Sequence, residues 1–312
     1  MELSLLLISK LSSLMIMAVV GYIVVKAGVL KSADSKVLSN LIVFVLQPCM
    51  FIQIFQIDMT SDRRTGFIAA LIFAFAAHVF WILLTALLKK PLNLDPVDRG
   101  SLIYVNCGNL ILPLVAMTLG DEHVFYAAAF QVPFHVFLWT QGYAMMRGDG
   151  KISIRRLFLN SNVISLTIGL FLMVIGFKVP EVIGTTLDGL SGMVGPASML
   201  VVGMVIADAD LKSVFLSGRA WMISFGRLIL YPLLTIALLY ISGILRRFPD
   251  LNPVFQVSML AVAAPCAGMI TQLAVIFDKK KLEASSYNVL STMLCTVTMP
   301  LIIMLYGFLF PA

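Results

Sequence analysis

The sequence predicts an all-α integral membrane protein of ten transmembrane helices, and three observations carry that prediction. Of the 312 residues, 60% are hydrophobic and only 12% are charged, against about 45–50% apolar and about 25% charged in an ordinary soluble domain. Apolar runs bounded by charged or Gly/Pro-rich breaks fall at 4–25, 37–57, 66–88, 100–119, 123–146, 157–177, 183–207, 219–244, 254–277 and 284–310. Lys and Arg concentrate in alternate loops between those runs. A spanning helix takes about 20 residues, so ten of them leave short loops and no soluble domain. In water such a chain would expose a large apolar surface, which soluble monomers avoid; its solvent is lipid.

The runs differ in what interrupts them. The first holds Lys10 and has no small-residue cleavage signal before the next polar loop, so it reads as a retained helix and not as a signal peptide. The second contains Gln47-Pro48 and the third His78. The fourth reads Asn106-Cys107-Gly108-Asn109-Leu110-Ile111-Leu112-Pro113, and the fifth carries Gln131 and His135. The seventh has Leu187 and Pro196, and the eighth encloses Arg227. The ninth reads Ala263-Ala264-Pro265-Cys266-Ala267-Gly268-Met269-Ile270-Thr271-Gln272, and the tenth has Ser291 and Pro300.

Fifteen of the 22 basic residues lie in the odd-numbered loops, namely Lys26, Lys31, Lys36, Lys89, Lys90, Arg99, Arg147, Lys151, Arg155, Arg156, Lys212, Arg219, Lys279, Lys280 and Lys281. The even-numbered loops hold Arg63, Arg64, Lys178, Arg246 and Arg247. Both termini are therefore expected on the non-cytoplasmic side of a cell (inner) membrane. The same distribution answers the net charge of +6: basic residues scattered through short loops describe topology, not a nucleic-acid surface.

Ten spans divide into two halves of five, 1–150 and 151–312, and an odd number per half forces opposite orientations, an inverted repeat. Leu38 and Pro48 in the second run correspond to Leu187 and Pro196 in the seventh, and Pro113 in the fourth to Pro265 in the ninth. A proline inside a span frees a backbone carbonyl, which lipid tolerates only where protein or a water-filled cavity satisfies it. Runs four and nine are thus expected to be broken at Pro113 and Pro265, with the ligand site at the breaks.

Taken together, Leu41 through Pro48, Asn106 seven residues before Pro113, Ala264-Pro265, and Ser291 through Pro300-Leu301 make the chain resemble the auxin efflux carrier family over nearly its whole length. The resemblance implies a five-plus-five inverted repeat with helices four and nine crossing near the membrane centre, similar in fold to the bile-acid sodium symporters, and elevator-like alternating access. Bacterial relatives in that family are associated with small organic acids such as malate and malonate. The fifth loop is short, where many plant auxin exporters carry a long one, which implies a compact bacterial-type carrier rather than an exporter of an indole carboxylate.

Half-helices ending at the midplane aim positive dipole ends and unpaired N–H groups at the crossing, which suits an anion. Asn106 and Asn109 are three apart, so on a helix they share a face and read as substrate amides or as interhelical hydrogen bonds. Gln131 and His135 share a face in the fifth run, and His135 reads as a substrate or proton-coupling group or as a structural hydrogen bond. Arg227 either snorkels to the cytoplasmic surface or pairs with an anion in the bundle. Thr271 and Gln272 follow Pro265 and line the second half of the crossing or pack.

Other classes fit less well. Cys49, Cys107, Cys266 and Cys295 lack metal or redox spacing, and no phosphate-binding loop exists for an ATP-driven pump. Gly189-Leu190-Ser191-Gly192 matches a serine-protease pattern, but His78, His123 and His135 all precede it, whereas such enzymes place the histidine later; close helix packing explains the segment. The reading is a secondary carrier of small organic anions, not an enzyme, without a cofactor or metal. Its partners are the substrate and the bilayer, not nucleic acid, with a homodimer left open. A channel, a receptor and an indole carboxylate exporter stand as alternatives.

Overall fold

The structure, a computed structural model, describes residues 2–152 and 154–311. The boundary expected between the two halves, at 150–151, follows the helix ending at Arg147; Met1, Ser153 and Ala312 lie outside the described residues. The secondary structure is helical, 83% of the chain, with no strand among the described residues. In chain order the principal helices are α1 (Glu2–Lys26), α2 (Ser32–Ile54), α3 (Ser61–Leu88), α4 (Pro96–Ile103), α5 (Cys107–Leu119) and α6 (121–147). They continue as α7 (Ser161–Val174), α8 (Glu181–Asp208), α9 (Gly218–Ser242), α10 (Asn252–Val262), α11 (Gly268–Ile276) and α12 (Lys281–Leu309). Helices α1, α2, α3, α8, α9 and α12 are long and apolar enough to cross a membrane, and α5 and α7 are shorter apolar helices.

Local chemistry sets several starts. Thr60 accepts the Arg63 N–H ahead of α3, Asn160 accepts from Asn162 and Val163 ahead of α7, and Ser217 accepts from Ala220 in α9. At α4, Asp95 accepts from Val97 and Asp98 while Asp98 accepts the Asp95 N–H, a reciprocal box preceding Pro96 at the first helical position. Four spans widen into π-helical turns, at Ile42–Leu46, Cys107–Ile111, Leu138–Gly142 and Gly226–Leu230, and all but the one at Leu138–Gly142 end two residues before a proline, Pro48, Pro113 and Pro232. The ring cannot donate and crowds the carbonyl four residues back, so the turn before it opens.

This corrects one expectation. The first broken span does not break at Pro113, which lies in the continuous helix α5; it breaks at 104–106, where Tyr104 is extended and Asn106 has φ −80° and ψ 61°. The second break does include its proline, since α10 ends at Val262 and α11 begins at Gly268. A side chain's crowding can be absorbed by a π turn, and at Pro113 it is.

Two groups of helices pack within themselves. Helices α1, α2, α7 and α8 form one group. Gly21 and Gly203 let α1 and α8 meet backbone to backbone, at Leu200 O and Ala18 O, and Gly169 does the same for α7 against Phe51 O of α2. The other group holds α3, α4, α5, α6, α9, α10, α11 and α12, with α3 lying along α6 and α10 against both. His78 sits there, buried between Phe130 and Phe137, its Nδ1 on Ala74 O. Between the groups, α1 touches α12, Pro113 of α5 seats on Gly195 of α8, and a cavity of about 10 Å³ lies among Leu14, Leu110, Met199 and Thr292.

Candidate functional site at the helix crossing

The two breaks meet. Val105 pairs with Cys266 in an isolated antiparallel bridge; the Asn106 N–H donates to Pro265 O and the Ala267 N–H to Tyr104 O, both at 2.9 Å. Extended backbone survives in an apolar interior only if its polar groups are paired, and neighbouring side chains complete the pairing. The Cys266 N–H donates to Ser291 Oγ at 3.1 Å, and Asn288 Nδ2 donates to Cys266 O at 3.2 Å, both acceptor and donor coming from α12.

The C-terminal ends of α4 and α10 are satisfied by one side chain. Arg227 donates from Nη1 to Leu102 O at 3.1 Å, from Nε to Ala264 O at 3.3 Å, and from Nη2 to Val262 O. It is fully buried, with its guanidinium 4.4 Å from the centre of the Trp81 ring and 5.7 Å from that of Tyr231. Arg227 does not snorkel to the surface: its protein partners are backbone carbonyls and aromatic faces, and no carboxylate lies within salt-bridge distance of it among the described residues. The nearest C-terminal carbonyls hold it more closely than any route to the surface would.

The N-terminal ends start immediately beyond the paired stretch, at Cys107 for α5 and Gly268 for α11. Asn109, in the first turn of α5, accepts from Gln47 Nε2 at 2.5 Å, and Gln47 Oε1 accepts from Asn162 Nδ2 at 2.7 Å. This amide chain runs from the second group through α2 to α7. Gln131 of α6 faces the same turn: a Cβ on Gly108 would lie 3.4 Å from Gln47 Nε2 and 3.6 Å from Gln131 Oε1. Gln131 Nε2, Asn162 Oδ1 and both ring nitrogens of His135 are buried without a hydrogen-bond partner.

The expected residues separate accordingly. Asn109 and Gln131 come together with Gln47; His135 lies one turn along α6 with its ring edge-on to Phe51 of α2, centroids 6.1 Å apart. Asn106 is in the break itself, so it and Asn109 do not share a helix face, contrary to their spacing. Its side chain is half-buried. Pro265 is buried beside the bridge, its carbonyl taken by the Asn106 N–H, whereas Pro113 seats on α8. Thr271 donates to Ala284 O at 3.2 Å and so joins α11 to α12, and Gln272 is exposed. Asn162 and Asn288 were not singled out by sequence. Their signal was an amide within an otherwise apolar run, Asn288 three residues before Ser291.

A profile of the family described as membrane transport protein matches residues 6–153 and 150–303. An uncharacterized transporter of Methanothermobacter thermautotrophicus is 23% identical over 297 residues, covering 93% of this chain and 95% of its own length. An uncharacterized transporter of Methanocaldococcus jannaschii is 24% identical over 210 residues, covering 64% of this chain and 68% of its own. With its apolar spans and a family match along almost the entire sequence, the chain belongs to the membrane transport protein family, the auxin-efflux-carrier-like family its motifs resemble, and is a multi-pass membrane transporter.

Proposed function

We propose that the protein is a secondary carrier of small organic anions, carboxylates above all, bound at the N-terminal ends of α5 and α11. The observation that carries this reading is the buried Gln131 side chain facing the first turn of α5 beside Asn109 and Gln47, where its Nε2 has no oxygen or nitrogen partner and only the Cys107 thiol beside it. Each helix N-terminus carries about half a positive charge, so two of them together match one carboxylate. Neutral amides complete the donors without a fixed cation, which favours release as well as binding. Asn106 and Asn288 flank the paired backbone and add two further amides.

In this reading the ten expected segments form an inverted five-plus-five repeat, with α4–α5 and α10–α11 as the two crossing spans and both termini outside the cytoplasm. The group containing the crossing moves against α1, α2, α7 and α8 in an elevator-like cycle. The Gln47–Asn109 bond joins the two groups and is exchanged as they slide. His135 is the candidate for proton coupling.

The test is uptake into proteoliposomes of malate, malonate, lactate and an indole carboxylate, each with and without a proton or sodium gradient. Saturable uptake of at least one acid, with KM raised about tenfold or more in Asn109→Ala, is the expected result. Flux that does not saturate, or no flux from folded protein, overturns the reading. A His135→Gln variant with the wild-type pH profile removes His135 from the coupling role.

A further inference from the structure

We propose that Arg227 is a built-in cation of the crossing, supplying the charge that the C-terminal ends of α4 and α10 would otherwise take from a bound ion. Carriers built on discontinuous helices use such half-helix C-termini and unwound carbonyls to coordinate a coupling ion. Here Leu102 O, Val262 O and Ala264 O all receive N–H groups of one guanidinium.

The charges balance. Each helix C-terminus carries about half a negative charge, and the two that meet at Arg227 offset its single positive charge. A lone buried cation would cost several kcal/mol, and among the described residues no carboxylate pairs with this one. The carbonyls, with the faces of Trp81 and Tyr231, therefore take the place of a counter-anion. The side chain draws on both broken spans, so it also holds the two N-terminal ends in register. It acts as a positioning residue, and the bound anion faces helix ends whose opposite partners are already neutralised. A cycle of this kind runs without a sodium ion at the crossing.

The experiment has an arm that needs no substrate. Purified Arg227→Ala in detergent is heated with millimolar guanidinium or tetramethylammonium chloride. The expected result is a melting temperature raised by guanidinium alone, in the variant and not in the wild type. No shift, or an equal shift in the wild type, overturns the proposal. The second arm rests on the carrier reading: wild-type uptake is compared in sodium and in choline buffers, and Arg227→Lys is compared with Arg227→Gln. Sodium-independent uptake, kept by Lys and reduced at least about tenfold by Gln, supports a role of charge. Uptake that requires sodium, or equal behaviour of the Lys and Gln variants, overturns it. If no acid moves at all, the carrier reading fails while the melting arm still decides on Arg227.

Discussion

The Tyr287 hydroxyl donates to Asp98 Oδ1 at 2.9 Å and ties the start of α12 to the first turn of α4. Asp98 is fully buried, and Arg219 of α9 completes its shell, with Nη2 on Oδ2 at 2.5 Å and Nε on Oδ1 at 3.4 Å. A hydrogen bond to a buried charge is worth about 1.5–3 kcal/mol. Tyr287→Phe is therefore expected to lower stability by about that much, and Arg219→Ala by about 3–5 kcal/mol because it strands a buried carboxylate. Thermal unfolding in detergent measures both, and a Tyr287→Phe protein as stable as the wild type would show the bond to be of no consequence.

One turn away, Asp95 pairs with Lys280 at 2.8 Å. Burial pushes the Asp95 carboxyl up, but the Lys280 ammonium and the Asp98 and Val97 N–H groups outweigh it and hold the carboxyl below its ordinary range. Asp95 in turn holds the Lys280 ammonium above its ordinary value. A depressed carboxylate stabilises the fold above its unfolded pKa, about 3.9, and that contribution is lost as pH falls through the lower folded value. Asp95→Asn keeps the helix cap and deletes the pair, at a cost below about 1 kcal/mol because the lysine is exposed. The stability difference from wild type is expected to hold steady across neutral pH and close in acid, which unfolding curves from pH 7 downward will show.

Gly203 and Gly189 make opposite predictions on the same helix. A Cβ at Gly203 would collide with Ala18 O and lie 2.7 Å from Tyr22 N, both backbone atoms of α1, while one at Gly189 meets nothing within 4 Å. Gly203→Ala should cost about 1–3 kcal/mol or more by forcing α1 and α8 apart. Gly189→Ala should gain about 0.5–1 kcal/mol, the ordinary helix preference. Equal melting temperatures for the two would contradict the close approach.

Gln131 and Thr271 separate binding from packing. The Gln131 Nε2 has no oxygen or nitrogen partner in the protein, only the weakly accepting Cys107 thiol, so Gln131→Met relieves an under-satisfied buried donor and is expected to leave stability unchanged or higher while weakening substrate affinity. Thr271 spends its hydroxyl on Ala284 O, so Thr271→Val should cost about 1 kcal/mol and leave KM alone. Uptake kinetics and melting curves on the same two preparations decide.

The helices were legible because lipid imposes long apolar runs, and the broken spans because Asn, Gly and Pro fall together in them. Register was less legible. Asn106 and Asn109 share a helix face only on a continuous helix, and the position of the break depends on the bonds Asn106–Pro265 and Tyr104–Ala267, whose partners lie 159 and 163 residues apart in sequence. Arg227 was visible as an embedded charge, but its partners are backbone carbonyls, which leave no residue-type signature. Asn162 and Asn288 have no charge or proline to mark them, and only the fold brings them to the crossing.

The glycine contact between α1 and α8 has a mechanical consequence. Where main chains touch, no side chain is left to act as a cushion, so these two helices behave as a single beam. The seam between the two groups is packed differently: there the ring of Pro113 rests on Gly195, and a cavity the size of one water lies among Leu14, Leu110, Met199 and Thr292. Stiffness between these two helices is thus set by residue size, main chain resting on main chain wherever glycine removes the side chain.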